Sequence, residues 1–328
     1  MRDVKLSMHL LEIEITTRCN LNCLHCYNRG YENIDMPYEQ IEKYIKFANE
    51  NCVSNLVISG GEASLHKDFF RLCEFLKGNR KKLTNIKKIV LQTNGNIKNI
   101  DLSNLTGFDY IHLSFDLDDN KIRKIDSNET IKLAKKLQEI GISPYFFTTI
   151  HKNNMNHIDE IIKIANENNI RIAFNFCMYT GRNKDVLLSH EERILAIKKL
   201  LEYEKQGKIS KLRNPYINSY KRMTNEDQEK FKIRGGCTAG IASCTILSNG
   251  DVIPCPFFRI VCGNVNNESL ENIWFNSENF KELRDRKKYE ICGDCKYISY
   301  CGGCRNSAYE TSHKLNGFDK NCVMLGNA

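Results

Sequence analysis

The sequence has few of the features that mark secreted, fibrous or membrane-spanning chains. Only five prolines occur in 328 residues, which excludes a collagenous or proline-rich linker protein. No stretch approaches the roughly 18 consecutive apolar residues of a membrane span. The opening "MRDVKLSMHLLEIEI" has no small-residue cleavage site, so its apolar run reads as a first strand and not as a secretory signal. No fixed-period repeat or low-complexity tract is present. Acidic residues are in mild deficit, 40 against 48 basic ones for a formal charge of +8, which by itself names no partner. The densest basic stretch, "KGNRKKLTNIKK" (77–88), has no interleaved aromatics and reads as a solvated loop. Neither a nucleic acid nor a membrane is expected as a partner, and 41% hydrophobic residues suffice for a sizeable core.

Cysteine, by contrast, is abundant at fifteen residues. Without a secretory signal the expected compartment is the cytoplasm, where disulfides are disfavoured and clustered cysteines bind metal. Cys19, Cys23 and Cys26 fall in "TTRCNLNCLHCYN" at C-x3-C-x2-C spacing. A [4Fe-4S] cluster fully held by protein uses four thiolates, so three leave one iron open. A zinc site completed by His25 or by a distant ligand also fits that spacing, because catalytic zinc uses three protein ligands. Spacing alone does not separate the two.

To about residue 180, β-rich runs alternate with helical patterns. The expected strands are 10–16, 55–59, 88–94, 110–116, 144–150 and 171–176. Ile41, Tyr44, Ile45 and Ala48, and later Ile158, Ile161, Ile162 and Ala165, fall at i, i+3, i+4 and i+7, one face of a helix. This alternation predicts an α/β fold with a parallel sheet, a partial (β/α)6 barrel, with a doubly wound sheet as the alternative. In either, loops after the strand ends build the site. Residues 181–235 read as a helical bridge, with capping-box spacing at Ser189 and Glu192 and a stop at Gly207. Residues 236–328 form a small domain holding nine of the cysteines, where metal is expected to substitute for a large apolar core. The expected units are therefore 1–180, 181–235 and 236–328.

C-x3-C-x2-C followed by an aromatic, "CNLNCLHCY", at the end of a first strand resembles the signature of the radical S-adenosylmethionine (SAM) superfamily. The resemblance implies a [4Fe-4S] cluster on Cys19, Cys23 and Cys26 whose open iron takes SAM, with Tyr27 beside the cofactor. "SGGEA" (59–63) is similar to the family's Gly-Gly-Glu motif, in which Gly60 and Gly61 permit close backbone approach and Glu62 accepts from the SAM amino group. Ala63 replaces a frequent proline. "TNG" (93–95) and "LSFD" (113–116) resemble further SAM-contacting segments. The implied contacts are Asn94, Ser114 and Asp116, the last two for the ribose, and Arg123 for the carboxylate. Asn175 is a ribose or adenine contact by position alone.

The tail, "GCTAGIASCTILSNGDVIPCPFF", "ICGDCKYISYCGGCRNSAY" and a final "NC", resembles the SPASM extension of radical SAM enzymes, with a two-residue last gap in "CGGCR". Two auxiliary [4Fe-4S] clusters follow from the resemblance. Cys237, Cys255 and Cys304, with Cys244 as fourth ligand, would hold one; Cys292, Cys295, Cys301 and Cys322 the other. If Cys244 is not a ligand, the first has an open iron. Two zinc knuckles are the alternative. Of the remaining cysteines, Cys73 is expected in the core, Cys52 and Cys262 are structural or incidental, and Cys177, on one strand face with Asn175, is a candidate hydrogen donor near the substrate.

The function implied is reductive cleavage of SAM to a 5'-deoxyadenosyl radical that abstracts substrate hydrogen, most plainly from a ribosomally made peptide that is crosslinked, epimerised or otherwise modified. A formylglycine-forming sulfatase maturase and a tetrapyrrole-modifying enzyme are alternatives, a non-catalytic iron-sulfur or zinc scaffold a remoter one. Eighteen residues precede Cys19, leaving no room for an N-terminal leader-binding domain, so a peptide substrate would need either a separate leader-binding protein or direct barrel contacts; a flavodoxin- or ferredoxin-type electron donor is the other expected partner.

Overall fold

The computed structural model describes residues 8–28, 32–97, 100–117, 122–123, 125–179, 183–210, 212, 214–224 and 236–324. Residues 225–235 of the expected bridge lie outside them. Six strands appear where the alternation places them: β1 (Leu10–Glu14), β2 (Asn55–Ser59), β3 (Lys88–Thr93), β4 (Tyr110–Ser114), β5 (Ser143–Ile150) and β6 (Arg171–Phe176). Each pairs in parallel with the next. Three expected strands end one or two residues early, because the chain turns away into the loops that carry the polar residues.

Crossover helices α1 (Tyr38–Glu50), α2 (Phe69–Asn79), α3 (Ser127–Glu139) and α4 (Ile158–Glu167) cover the outer face. Ile41, Tyr44, Ile45 and Ala48 of α1 are buried, as are Ile158, Ile161, Ile162 and Ala165 of α4. They join one core cluster with Leu11, Ile13, Leu56, Ile58, Ile89 and Leu91, the outward residues of β1 to β3, while α4 itself lies against β6. Each fully buried Ile or Leu contributes about 1.5 to 3 kcal/mol. One crossover has no α-helix: a 3-10 segment, Leu102–Gly107, connects β3 to β4. It can lie that close to α2 because a Cβ on Gly107 would stand 2.7 Å from that of Leu76.

The bridge holds α5 (His190–Lys205), opened by the expected capping box of Ser189 and Glu192, and a helix the sequence pattern does not announce, α6 (Pro215–Thr224). Beyond it the chain returns to the same sheet. Strand β7 (Ser243–Ile246) pairs in parallel with β1 on the side opposite β2, and β8 (Asp251–Ile253) and β9 (Gly263–Asn264) continue antiparallel. The strand order is β6-β5-β4-β3-β2-β1-β7-β8-β9, an open sheet. Three helices follow: α7 (Leu270–Asn276), α8 (Glu278–Arg284) and α9 (Arg305–Ser312).

The expectation that metal replaces an apolar core in the tail needs correcting. Ile246, Val252, Phe258, Ile273, Trp274, Phe280 and Leu283 are buried in the same cluster as the barrel residues. Pairing of β7 with β1 puts the first half of the tail against the barrel, so apolar packing holds it there. Among the described residues no helix is long and apolar enough to cross a membrane.

Candidate active site and cysteine clusters

The three-cysteine loop leaves β1 and is tied at once to its neighbours. Thr16 donates its hydroxyl to Asp35 (2.6 Å), and the N–H groups of Gly61 and Glu62 donate to the carbonyls of Thr16 and Arg18, both at 2.7 Å. A Cβ on Gly60 would stand 2.7 Å from the Thr16 carbonyl oxygen, and one on Gly61 2.6 Å from that of Thr17. Close backbone approach therefore requires glycine at both positions.

Glu62 is buried at the centre of this contact. Its carboxylate accepts from the Thr93 hydroxyl (2.9 Å), the Asn94 N–H (2.8 Å) and the Ser64 hydroxyl (2.8 Å), binding the Gly-Gly-Glu turn to the end of β3. Burial raises its pKa and these hydrogen bonds lower it, with a net upward shift. The Asn94 side chain donates to Asn20 (2.8 Å) with its Nδ2 3.8 Å from Cys19 Sγ.

Arg123 and Asp116 form a buried ion pair, Nη1 to Oδ2 3.1 Å, and Arg123 also donates to the Asn94 carbonyl (2.7 Å). The pair flanks Cys23, whose thiol burial pushes up to about 12 while Arg123 pulls it down. Asp116 Oδ1 and Arg123 Nε are buried without a protein partner. An unused acceptor and donor beside the cysteine loop suit a ligand that carries both hydroxyl and carboxylate groups. Ser114 donates to the Thr93 carbonyl (3.3 Å). His25 stacks on His151 with ring centroids 5.6 Å apart.

Other expected contacts are placed differently. Asn175 is turned to the bridge, its Oδ1 accepting from Asn214 Nδ2 (2.6 Å). Cys177 is buried beside Ile122 and Val186, receives a hydrogen bond from Asn183 (3.2 Å), and has its thiol pushed up to about 12 by burial. Tyr27 points to the tail: its ring meets Phe257 edge on at 5.0 Å and lies 5.6 Å from the Arg259 guanidinium. Cys73 is buried in the core.

The tail cysteines form two groups. Cys292, Cys295, Cys301, Cys304 and Cys322 line one cavity with Tyr216 and Asp319. Cys255 has Cys237 and Cys304 as its ionisable neighbours, so Cys304 stands between the groups. Asp319 shapes this turn, accepting from the Cys304 N–H (2.7 Å) and the Ser307 hydroxyl (2.6 Å). Arg305, 2% exposed, stacks over Tyr289 and leaves Nε and Nη2 without partners; burial pushes the Cys292 thiol up to about 11, and the Arg305 charge works against that rise. A buried cation with unused donors fits a negatively charged thiolate-bound cluster. Among the described residues no three His, Cys, Asp or Glu side chains converge on a single-ion site.

Cys244 does not join either group. It lies on β7 in register with Leu11, packed in the helix-facing core with its Sγ 3.8 Å from Met8 Sδ, and its ionisable neighbours are Cys262 and Arg284. Strand alternation turns residue 244 away from Cys255.

Sequence reading passed over one further group. Glu12 and Glu14 share the inward face of β1, opposite to Leu11 and Ile13. Arg259 donates to Glu14 at 2.6 Å and the Ser59 hydroxyl donates to Glu12 at 2.6 Å. Burial raises both carboxyls, Glu12 to about 7. Two carboxylates at i and i+2 in the apolar run "LLEIEI" were the available signal.

Residues 13–165 match the family model described as the Radical SAM superfamily, and residues 237–296 match the SPASM iron-sulfur cluster-binding domain. An AdoMet-dependent heme synthase of Methanosarcina barkeri is 27% identical over 92% of this chain and 92% of its own length. A mycofactocin maturase of Mycobacterium tuberculosis is 25% identical over 95% of this chain and 82% of its own. Among solved structures, Streptococcus suis SuiB bound to S-adenosylmethionine superposes with a TM-score of 0.77 at 22% identity, covering 96% of this chain and 77% of that one. SuiB has also been solved with its precursor peptide SuiA.

Proposed function

Because the chain belongs to the radical SAM superfamily and carries a SPASM iron-sulfur domain, we propose that it modifies a ribosomally made peptide at an unactivated carbon. When bound, SAM and its [4Fe-4S] cluster supply the hydrogen-abstracting chemistry, and auxiliary clusters serve the SPASM domain. The chain's own residues bind, orient and enclose.

In this reading Cys19, Cys23 and Cys26 would hold the first cluster, and Asp116 and Arg123 would turn their unused atoms to SAM. Glu62 acts chiefly as the clamp that fixes the loop, since four protein groups, the Thr93 and Ser64 hydroxyls and the Asn94 and Ser64 N–H groups, already donate to its carboxylate. Cys292, Cys295, Cys301 and Cys322 would hold one auxiliary cluster, and Cys237, Cys255 and Cys304 the other, without Cys244. Cys177, a neutral buried thiol, suits hydrogen donation better than nucleophilic attack.

The observation that carries the proposal is the gathering of the three-cysteine loop, Asn94 and the Asp116–Arg123 pair at one end of the strands, above Gln92, His112, Tyr145, Phe147 and Thr149, which alternate with the helix-facing residues of β3, β4 and β5. Alternating amide, hydroxyl and aromatic groups suit a peptide. Similarity to the mycofactocin maturase and to SuiB supports it. A tetrapyrrole substrate is the second reading, favoured by the 27% identity to the heme synthase. A separate leader-binding protein and a flavodoxin- or ferredoxin-type donor remain part of the proposal.

Anaerobic incubation of the reconstituted protein with SAM and dithionite tests the activity. Formation of 5'-deoxyadenosine is expected, with a mass change in a short peptide encoded beside the gene. A fully metallated protein that yields none contradicts the proposal.

A further inference from the structure

We propose that Glu12 is a substrate anchor inside the barrel that takes an ammonium or guanidinium group, the side chain of a Lys or Arg in the peptide. This rests on the peptide reading above.

Glu12 is 5% exposed on the face of β1 that does not pack on the helices, in register between Val57 of β2 and Thr245 of β7. Its Oε1 accepts from Ser59, while Oε2 accepts no hydrogen bond among the described residues. Ser59 immediately precedes Gly60 and Gly61, so this carboxylate lies directly below the loops that gather the candidate SAM contacts.

The ionisable groups around it are Glu14, Arg259 and the Tyr27 phenol, which burial keeps neutral. Arg259 donates to Glu14 at 2.6 Å, and the Ser248 N–H also serves Glu14. Glu12 is thus the carboxylate without a cation bonded to it. Ser248 itself is 4% exposed and its hydroxyl is buried without a partner, so the polar wall between β1 and β7 holds an unused buried hydroxyl as well as a carboxylate oxygen that accepts no bond among the described residues. Native interiors satisfy such groups, and a buried carboxylate is best satisfied by a cation.

Burial raises the Glu12 pKa to about 7, the response of an uncompensated carboxyl, and a bound cation would restore its charge. A substrate rich in carboxylates would meet like charge here. The site therefore favours a basic peptide side chain over an anionic macrocycle.

The test uses anaerobically reconstituted holoenzyme and three probes: Nα-acetyl-lysine N-methylamide, its norleucine isostere and its glutamate counterpart. Binding is followed by ligand-observed NMR titration. Wild type should bind the lysine probe about tenfold tighter than the other two. Glu12→Gln should abolish that preference, and Glu12→Asp should keep part of it. Equal binding of the three probes to wild type, binding of none, or an unchanged preference in Glu12→Gln overturns the site. SAM cleavage by wild type in the same preparations separates the two readings. Cleavage without lysine preference removes the Glu12 anchor alone; absence of cleavage removes the enzyme reading on which it rests.

Discussion

Arg123 and Asp116 pair inside the protein, Nη1 to Oδ2 at 3.1 Å, with side chains 6% and 4% exposed. Removing one partner strands the other as a buried charge, which typically costs about 3 to 5 kcal/mol. Arg123→Leu should therefore destabilise the protein by that order. The double variant Arg123→Leu/Asp116→Leu should recover much of the loss. Denaturant unfolding of the two variants checks this, and equal losses in both contradict a pair that is costly only when broken.

Two glycines in different surroundings should respond oppositely to alanine. At Gly61 a Cβ would stand 2.6 Å from the Thr17 carbonyl, so Gly61→Ala must push the Gly-Gly-Glu turn off the cysteine loop. Gly78 lies exposed in α2, where an added methyl would meet nothing within 4 Å. Gly78→Ala should stabilise by about 0.5 to 1 kcal/mol. Gly61→Ala should lose iron from the loop site and SAM binding, measured by metal analysis and equilibrium dialysis. Full SAM affinity in Gly61→Ala contradicts the close-approach argument.

Glu12 makes stability depend on pH with a definite sign. Burial moves its carboxyl from 4.5 to about 7. Between those values the folded state holds a proton that the unfolded chain has released, so stability falls as pH rises, by about 1.4 kcal/mol per pH unit, and levels off above the folded pKa. Glu12→Gln removes this penalty. Its melting-temperature advantage over wild type should grow from pH 6 to about 7.5 and then become constant. A difference independent of pH contradicts the buried-carboxyl account.

Periodicity made the barrel legible because strands and helices impose periods of two and 3.6 on apolar residues. The faces of Ile41, Tyr44, Ile45 and Ala48 and of Ile158, Ile161, Ile162 and Ala165 are where the spacing puts them. The return of β7 to β1 was not legible: β7 is four residues long, and its partner strand lies at the opposite end of the chain. Cys244 follows from that. In the sequence it is one of several cysteines at plausible spacing, but pairing beside Leu11 turns it into the core. Glu12 and Glu14 were readable as inward residues of a strand, whereas their different charge compensation depends on Arg259, brought near by the tail fold. Asp116 and Arg123 read separately as ligand contacts; only three-dimensional placement reveals that they bond each other.

In the proposed arrangement the loop cysteines and the two tail groups would hold three separate iron-sulfur clusters, with Cys244 outside all of them. Metal counting after anaerobic reconstitution tests it directly, on wild type, on the Cys19/Cys23/Cys26 triple alanine variant and on Cys244→Ala. About twelve irons are expected in wild type, about eight in the triple variant and about twelve in Cys244→Ala. Zinc as the main metal, iron undiminished in the triple variant, or loss of about four irons in Cys244→Ala would contradict that arrangement.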